Sequence, residues 1–130
     1  MDRLFLDANV LFSAAYGSRG LGVLWDKARQ GSLKLMASAY TVEEAVRNLF
    51  QPEHPARLKE LLTDLLIVQE ADPDVPCPVD LPEKDVPVLM AAMQSRATHL
   101  ITGDLKHFGK YRRRTINGVY ICTPRDYLGG

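Results

Sequence analysis

At 130 residues the chain reads as one domain, residues 1–130, long enough to bury a substantial core without staples. Its 46% hydrophobic and 25% charged residues argue against a disordered chain, and no apolar run approaches the ~20 residues of a membrane helix. The formal net charge of zero excludes a protein that attracts polyanions through its overall charge.

Residues 3–7 read as a short buried strand, apolar through Leu4-Phe5-Leu6 and closed by Asp7. Residues 8–16 look helical or turn-like, with Val10, Leu11 and Ala14 on one side. Gly17-Ser18-Arg19-Gly20 is a breaker. Residues 21–30 fit an amphipathic helix stopped by Gly31, with Leu21, Leu24 and Ala28 on one face and Trp25 beside them. Residues 33–37 form a second strand. Residues 40–50 are helical, with Val42, Ala45, Val46 and Leu49 spaced for a core face and Gln51-Pro52 as the stop. Thr41 and Glu44 in that helix suit a capping box. Residues 55–66 are a further helix with Leu58, Leu61, Leu62 and Leu65 inward, and residues 66–69 add a short strand.

Pro73, Pro76, Pro78 and Pro82 make residues 71–82 a loop. A helix over residues 83–96 properly begins near Asp85, because Pro87 is compatible only with a first turn. Residues 99–102 are a strand, 106–117 a basic surface stretch, 119–122 the last strand and 124–128 a closing helical turn. Strands alternating with helices predict an α/β fold with a mostly parallel sheet. In such sheets the functional crevice lies beyond the carboxyl ends of the strands.

Asp7 and Asp104 sit just past two strand ends, and Glu44 and Asp85 lie on or beside helices. Each has an ordinary reading: a helix cap, a capping-box partner, a first-turn acid or a turn residue. All four falling where one crevice can collect them points to carboxylates converging on a divalent metal. Lys106, Lys110, Arg112, Arg113 and Arg114 fall within nine positions with no intervening acid, so the rest of the neutral chain carries a net −5. That segment is a candidate phosphate-contacting surface. Tyr111 and Phe108 are candidates to stack on bases, Phe108 having burial in the core as its plainer role. His54, His99 and His107 pair with no nucleophile by spacing. Cys77 and Cys122, far apart, read as unpaired thiols. The opening residues look like strand rather than a signal peptide, so a cytoplasmic location is expected.

Leu6-Asp7-Ala8-Asn9-Val10-Leu11 with Ser13 resembles the opening motif of PIN domains, a class of metal-dependent nucleases. Residues 42–49, Asp85 with residues 88–92, and Thr102-Gly103-Asp104 resemble the later acidic motifs in the same order, and residues 118–124 resemble the closing strand and its proline-initiated helix. The resemblance runs over nearly the whole chain. It implies an α/β/α sandwich with a central, mostly parallel twisted sheet. It also implies an acidic quartet of Asp7, Glu44, Asp85 and Asp104 that binds Mg²⁺ or Mn²⁺, supported by the polar side chains of Asn9, Ser13 and Thr102. Glu43 rivals Glu44, which lies on the helix face next to the core stripe. Two departures bear on how many metals act. Lys106 stands where many members carry another acid, and Glu83 or Asp80 only partly fills the place of an acid found beside the third position.

The resemblance thus implies a metal-dependent ribonuclease acting on single-stranded or structured RNA. Many small members resemble VapC toxins of type II toxin–antitoxin pairs, which usually dimerise and are held by a co-encoded antitoxin. A non-catalytic PIN-like module binding RNA or protein is the alternative. Phosphoacceptor and phosphatase folds of receiver or haloacid-dehalogenase type fit less well. The second of these wants an Asp where Asn9 stands.

Overall fold

A computed structural model describes residues 1–49 and 53–129. The expected helix end at Phe50 and its stop at Gln51-Pro52 lie outside the described residues. The element order is β1 (Asp2–Leu6), α1 (Ala8–Ala15), α2 (Arg19–Arg29), β2 (Leu33–Ser38), α3 (Ala39–Arg47), α4 (Glu53–Leu62) and β3 (Leu65–Val68). There follow α5 (Val86–Gln94), β4 (His99–Ile101), α6 (Leu105–Phe108), a 3-10 turn (Gly109–Tyr111), β5 (Arg114–Ile116), β6 (Val119–Cys122) and α7 (Pro124–Leu128).

The six strands form one sheet in the order β3-β2-β1-β4-β6-β5. All pairings are parallel except the edge pair β5–β6. Strand residues alternate between two buried layers, as the pleat requires when both faces are covered. Leu4, Leu6, Leu33, Leu35, Ala37, Ile101 and Cys122 face a layer filled by α1, α2 and α4, with Trp25 and Leu58 at its centre. Phe5, Met36, Leu100 and Ile121 face the opposite layer, filled by α5 and Phe108. This is the expected α/β/α sandwich. No described helix is long and apolar enough to cross a membrane.

Three local expectations are corrected. Strand β2 runs on to Ser38, so the cap of α3 is Ser38 and its box partner is Thr41, not Thr41 with Glu44. Phe108 is fully buried and has no face to offer a base. The basic surface stretch also contains an unexpected strand, β5, which pairs antiparallel with β6. Asn117 (φ 46) and Gly118 (φ 88) make the turn between them, the left-handed pair that a tight hairpin needs. Cys77 and Cys122 are free, and burial pushes the Cys122 thiol up to about 11, which leaves it unreactive.

Candidate functional site

The switch in strand order lies between β2–β1 and β4–β6, and the loops after β1 and β4 open there side by side. Asp7 follows β1 and caps α1, its Oδ1 accepting from the Ala8 N–H at 2.8 Å. Its Oδ2 accepts from the Thr102 hydroxyl at 2.8 Å and from Asn9 Nδ2 at 3.1 Å. Thr102 Oγ1 in turn accepts from the Asp104 N–H at 3.0 Å, and Asn9 Oδ1 accepts from the Gly103 N–H at 2.7 Å. The two loops are therefore locked together. A Cβ at Gly103 would stand 3.1 Å from Asn9 Oδ1, so glycine permits the close approach.

Asp104 caps α6, accepting from the His107 N–H at 3.2 Å. Asp85 stands at the N-terminus of α5 but makes no capping bond. It is buried, and its Oδ2 has no hydrogen-bond partner. Glu44, released from capping by Thr41, faces inward from α3, whereas Glu43 pairs at the surface with Arg47 at 4.0 Å. One cavity of about 330 Å³ is lined by Asp7, Glu44, Asp85 and Asp104 together with Asn9, Asn48, Phe12 and Lys84.

Burial raises the Asp7 carboxyl above its ordinary value. Thr102, Ala8 and Asn9 oppose the rise and the Glu44 charge adds to it. Burial also raises Asp85, opposed by His107 and reinforced by Asp104 and Asp7. Clustered acids in a low-dielectric crevice behave this way when no cation balances them. The donor set is carboxylate oxygen at a strand-end crevice, and one buried oxygen is orphaned. Both features fit a hard divalent cation held by Asp85 and Asp104, with Asp7 and Glu44 on the same cavity.

Other expected residues divide. Asn9 and Thr102 join the network around Asp7. Ser13 instead lines a neighbouring, more apolar cavity with Ser18, Leu21 and Pro124. Lys106 and Lys110 border a third cavity beside His107, and Lys110 stands 3.7 Å from Asp80. Arg112 and Arg113 are both held by Asp126. Arg114 lies exposed on β5.

The structure brings two further residues to the acids: His107 stands against Asp85 and Asp104, and Lys84 lines the cavity. His107 follows Asp104 at the i,i+3 spacing of one helical turn, a usable signal once α6 is recognised. Lys84 carried no signal beyond its adjacency to Asp85.

The family model for the PIN domain matches residues 3–106. The chain belongs to the PIN domain family. No curated protein matches it by sequence. Among solved structures, this PIN domain is similar to a chain of VapBC2 from Rickettsia felis bound to a DNA fragment from their promoter. The TM-score is 0.66 and the identity 16%, over 93% of this chain and 98% of that one. At that identity the likeness is one of fold.

Proposed function

We propose that this single PIN domain is a divalent-metal-dependent endoribonuclease, with Asp7, Glu44, Asp85 and Asp104 as its acidic site. The observation that carries the reading is the convergence of these four side chains, from four separate segments, on one cavity. Mg²⁺ or Mn²⁺ is the implied ion. When bound, such an ion neutralises phosphate charge, lowers the pKa of coordinated water and stabilises the leaving oxygen.

The chain's own groups prepare that chemistry. Thr102 and Asn9 hold the Asp7 carboxylate in one orientation, so it needs no reordering. The cap bond to the His107 N–H orients Asp104. Glu44 lines the same cavity from α3, with Asn48. Lys84 at the cavity lining offers a positive charge to a phosphate. Lys106 and Arg114 extend the basic surface available to RNA, and Arg112, Arg113 and Lys110 border it while engaged with acids.

Likeness to a VapBC2 chain supports a toxin-like role with a co-encoded antitoxin as partner. The same proposal places the protein in the cytoplasm, with a homodimer as its working unit. The test is cleavage of a labelled single-stranded RNA with Mn²⁺ or Mg²⁺, with EDTA, and with Asp104→Asn purified identically. Metal-requiring cleavage that vanishes in a folded Asp104→Asn protein is expected. Equal cleavage by both proteins would sink the assignment. A clean binding signal with no cleavage under any condition would favour the non-catalytic module.

A further inference from the structure

A histidine stands against two of the four carboxylates. The short helix α6 carries His107 one turn beyond Asp104. Its ring turns into the gap between Asp104 and Asp85. Nδ1 lies 2.9 Å from Asp85 Oδ2 and 2.9 Å from Asp104 Oδ2. Contacts this short would be strong hydrogen bonds if aligned. They are not aligned: Nδ1 and Asp85 Oδ2 are both buried with no hydrogen-bond partner. The two oxygens lie off the axis along which the ring nitrogen would donate.

That arrangement is the one expected of atoms that share a cation. Around a six-coordinate ion with bonds of ~2.1 Å, adjacent ligands stand ~3.0 Å apart and opposite ligands ~4.2 Å apart. One atom each from Asp85, Asp104 and His107 all lie within 4.8 Å of one another. The Asp85 side chain is only 8% exposed. An unpartnered buried carboxylate oxygen is costly, and an ion shared with Nδ1 and Asp104 removes the cost.

We propose that His107 is a nitrogen ligand of the site, acting through Nδ1 with Asp85 Oδ2 and Asp104 Oδ2, and that it biases the site toward first-row transition ions over Mg²⁺. This rests on the metal-binding reading above. Mg²⁺ prefers an all-oxygen shell, whereas imidazole favours transition ions. The ligating ring must then be neutral, with its proton on Nε2.

The test uses the full chain stripped of metal, then titrated calorimetrically with Mn²⁺ and with Mg²⁺. Wild type, His107→Gln and Asp104→Asn are compared, each checked for fold by circular dichroism. Pulsed EPR of the Mn²⁺-loaded wild type reads directly whether nitrogen is coordinated, and ¹⁵N-histidine labelling assigns it. The expected result is a histidine nitrogen coupling in wild type, and a Mn²⁺/Mg²⁺ affinity ratio that falls about tenfold in His107→Gln. If His107→Gln fails to fold, the nitrogen coupling in wild type decides alone. Mn²⁺ binding that is lost in Asp104→Asn, with no histidine coupling in wild type, would overturn the role of His107 and leave the acidic site standing. Absence of any Mn²⁺ or Mg²⁺ binding to wild type would overturn both.

Discussion

Two charged clusters in this molecule are built on opposite terms. At Asp126, on α7, opposite charges meet within the chain. Arg112 donates two hydrogen bonds to it at 2.9 and 2.8 Å, Arg113 adds donors at 3.3 and 2.9 Å, and the Thr123 N–H adds one at 3.0 Å. The Arg112 guanidinium foremost holds the Asp126 carboxyl far below the usual carboxylate range. At the strand-end cavity, acids meet acids, and burial pushes Asp7 and Asp85 upward. A cluster that neutralises itself fastens the structure. A cluster of acids in a cavity, with an orphaned buried oxygen, has a charge that the proposed cation would balance.

The largest expected effect breaks the unbalanced cluster. Asp104→Asn should lower RNA cleavage on the order of a thousandfold or more, ~4 kcal/mol of activation free energy, at nearly unchanged melting temperature. A loss of activity that merely tracks unfolding would erase the contrast between the two clusters. Breaking the balanced one should do the reverse. Asp126→Asn strips two arginines of their partner and weakens the cap of α7, so stability should fall by about 1–2 kcal/mol while metal affinity holds. Thermal melts and metal titration of that protein read both halves.

Acid titration gives the two clusters opposite signs. Asp126 is depressed when folded, so its contribution is present above the ordinary value of 3.8 and is lost as pH falls below it. Asp7 and Asp85 are raised, so in metal-free protein their ionisation destabilises the fold at neutral pH, and the strain eases as pH falls through their raised values toward 3.8. Denaturant unfolding in EDTA should show the mild gain reduced in Asp85→Asn, and the steep acid loss reduced in Asp126→Asn. Identical profiles for all three proteins would remove the electrostatic distinction.

A smaller effect concerns RNA affinity. Lys106→Ala should lower it and reduce the salt slope by ~1, whereas Arg112→Ala should cost stability and leave the slope nearly unchanged. Equal slopes in a filter-binding series would mean that Arg112 leaves Asp126 for phosphate. The smallest change is Gly103→Ala, which forces the Asn9 amide to give by a few tenths of an ångström and should cost roughly 0.5–1 kcal/mol.

Much of this was legible locally. Leu4-Phe5-Leu6 and Leu100-Ile101 announce buried strands because both sheet faces are covered, and the acid after each is placed by chain connectivity alone. Pro87 marks the start of α5 and so sets Asp85 at its entrance. Thr102-Gly103-Asp104 encodes its turn through residue type. The capping of α3 is not legible in the same way, because Ser38 and Thr41 both suit the cap and only the end of β2 decides between them.

The order of elements, the parallel sheet and the four acids near its carboxyl edge thus follow from the sequence, since periodicity and turn chemistry act over a few residues. Which charges face each other did not. Asp126 meets Arg112 and Arg113 only because β5 folds back on β6, and His107 meets Asp85 only because α6 and α5 open at the same edge of the sheet. Whether a charge is already balanced depends on partners distant in sequence, and tertiary packing alone brings them within ångströms.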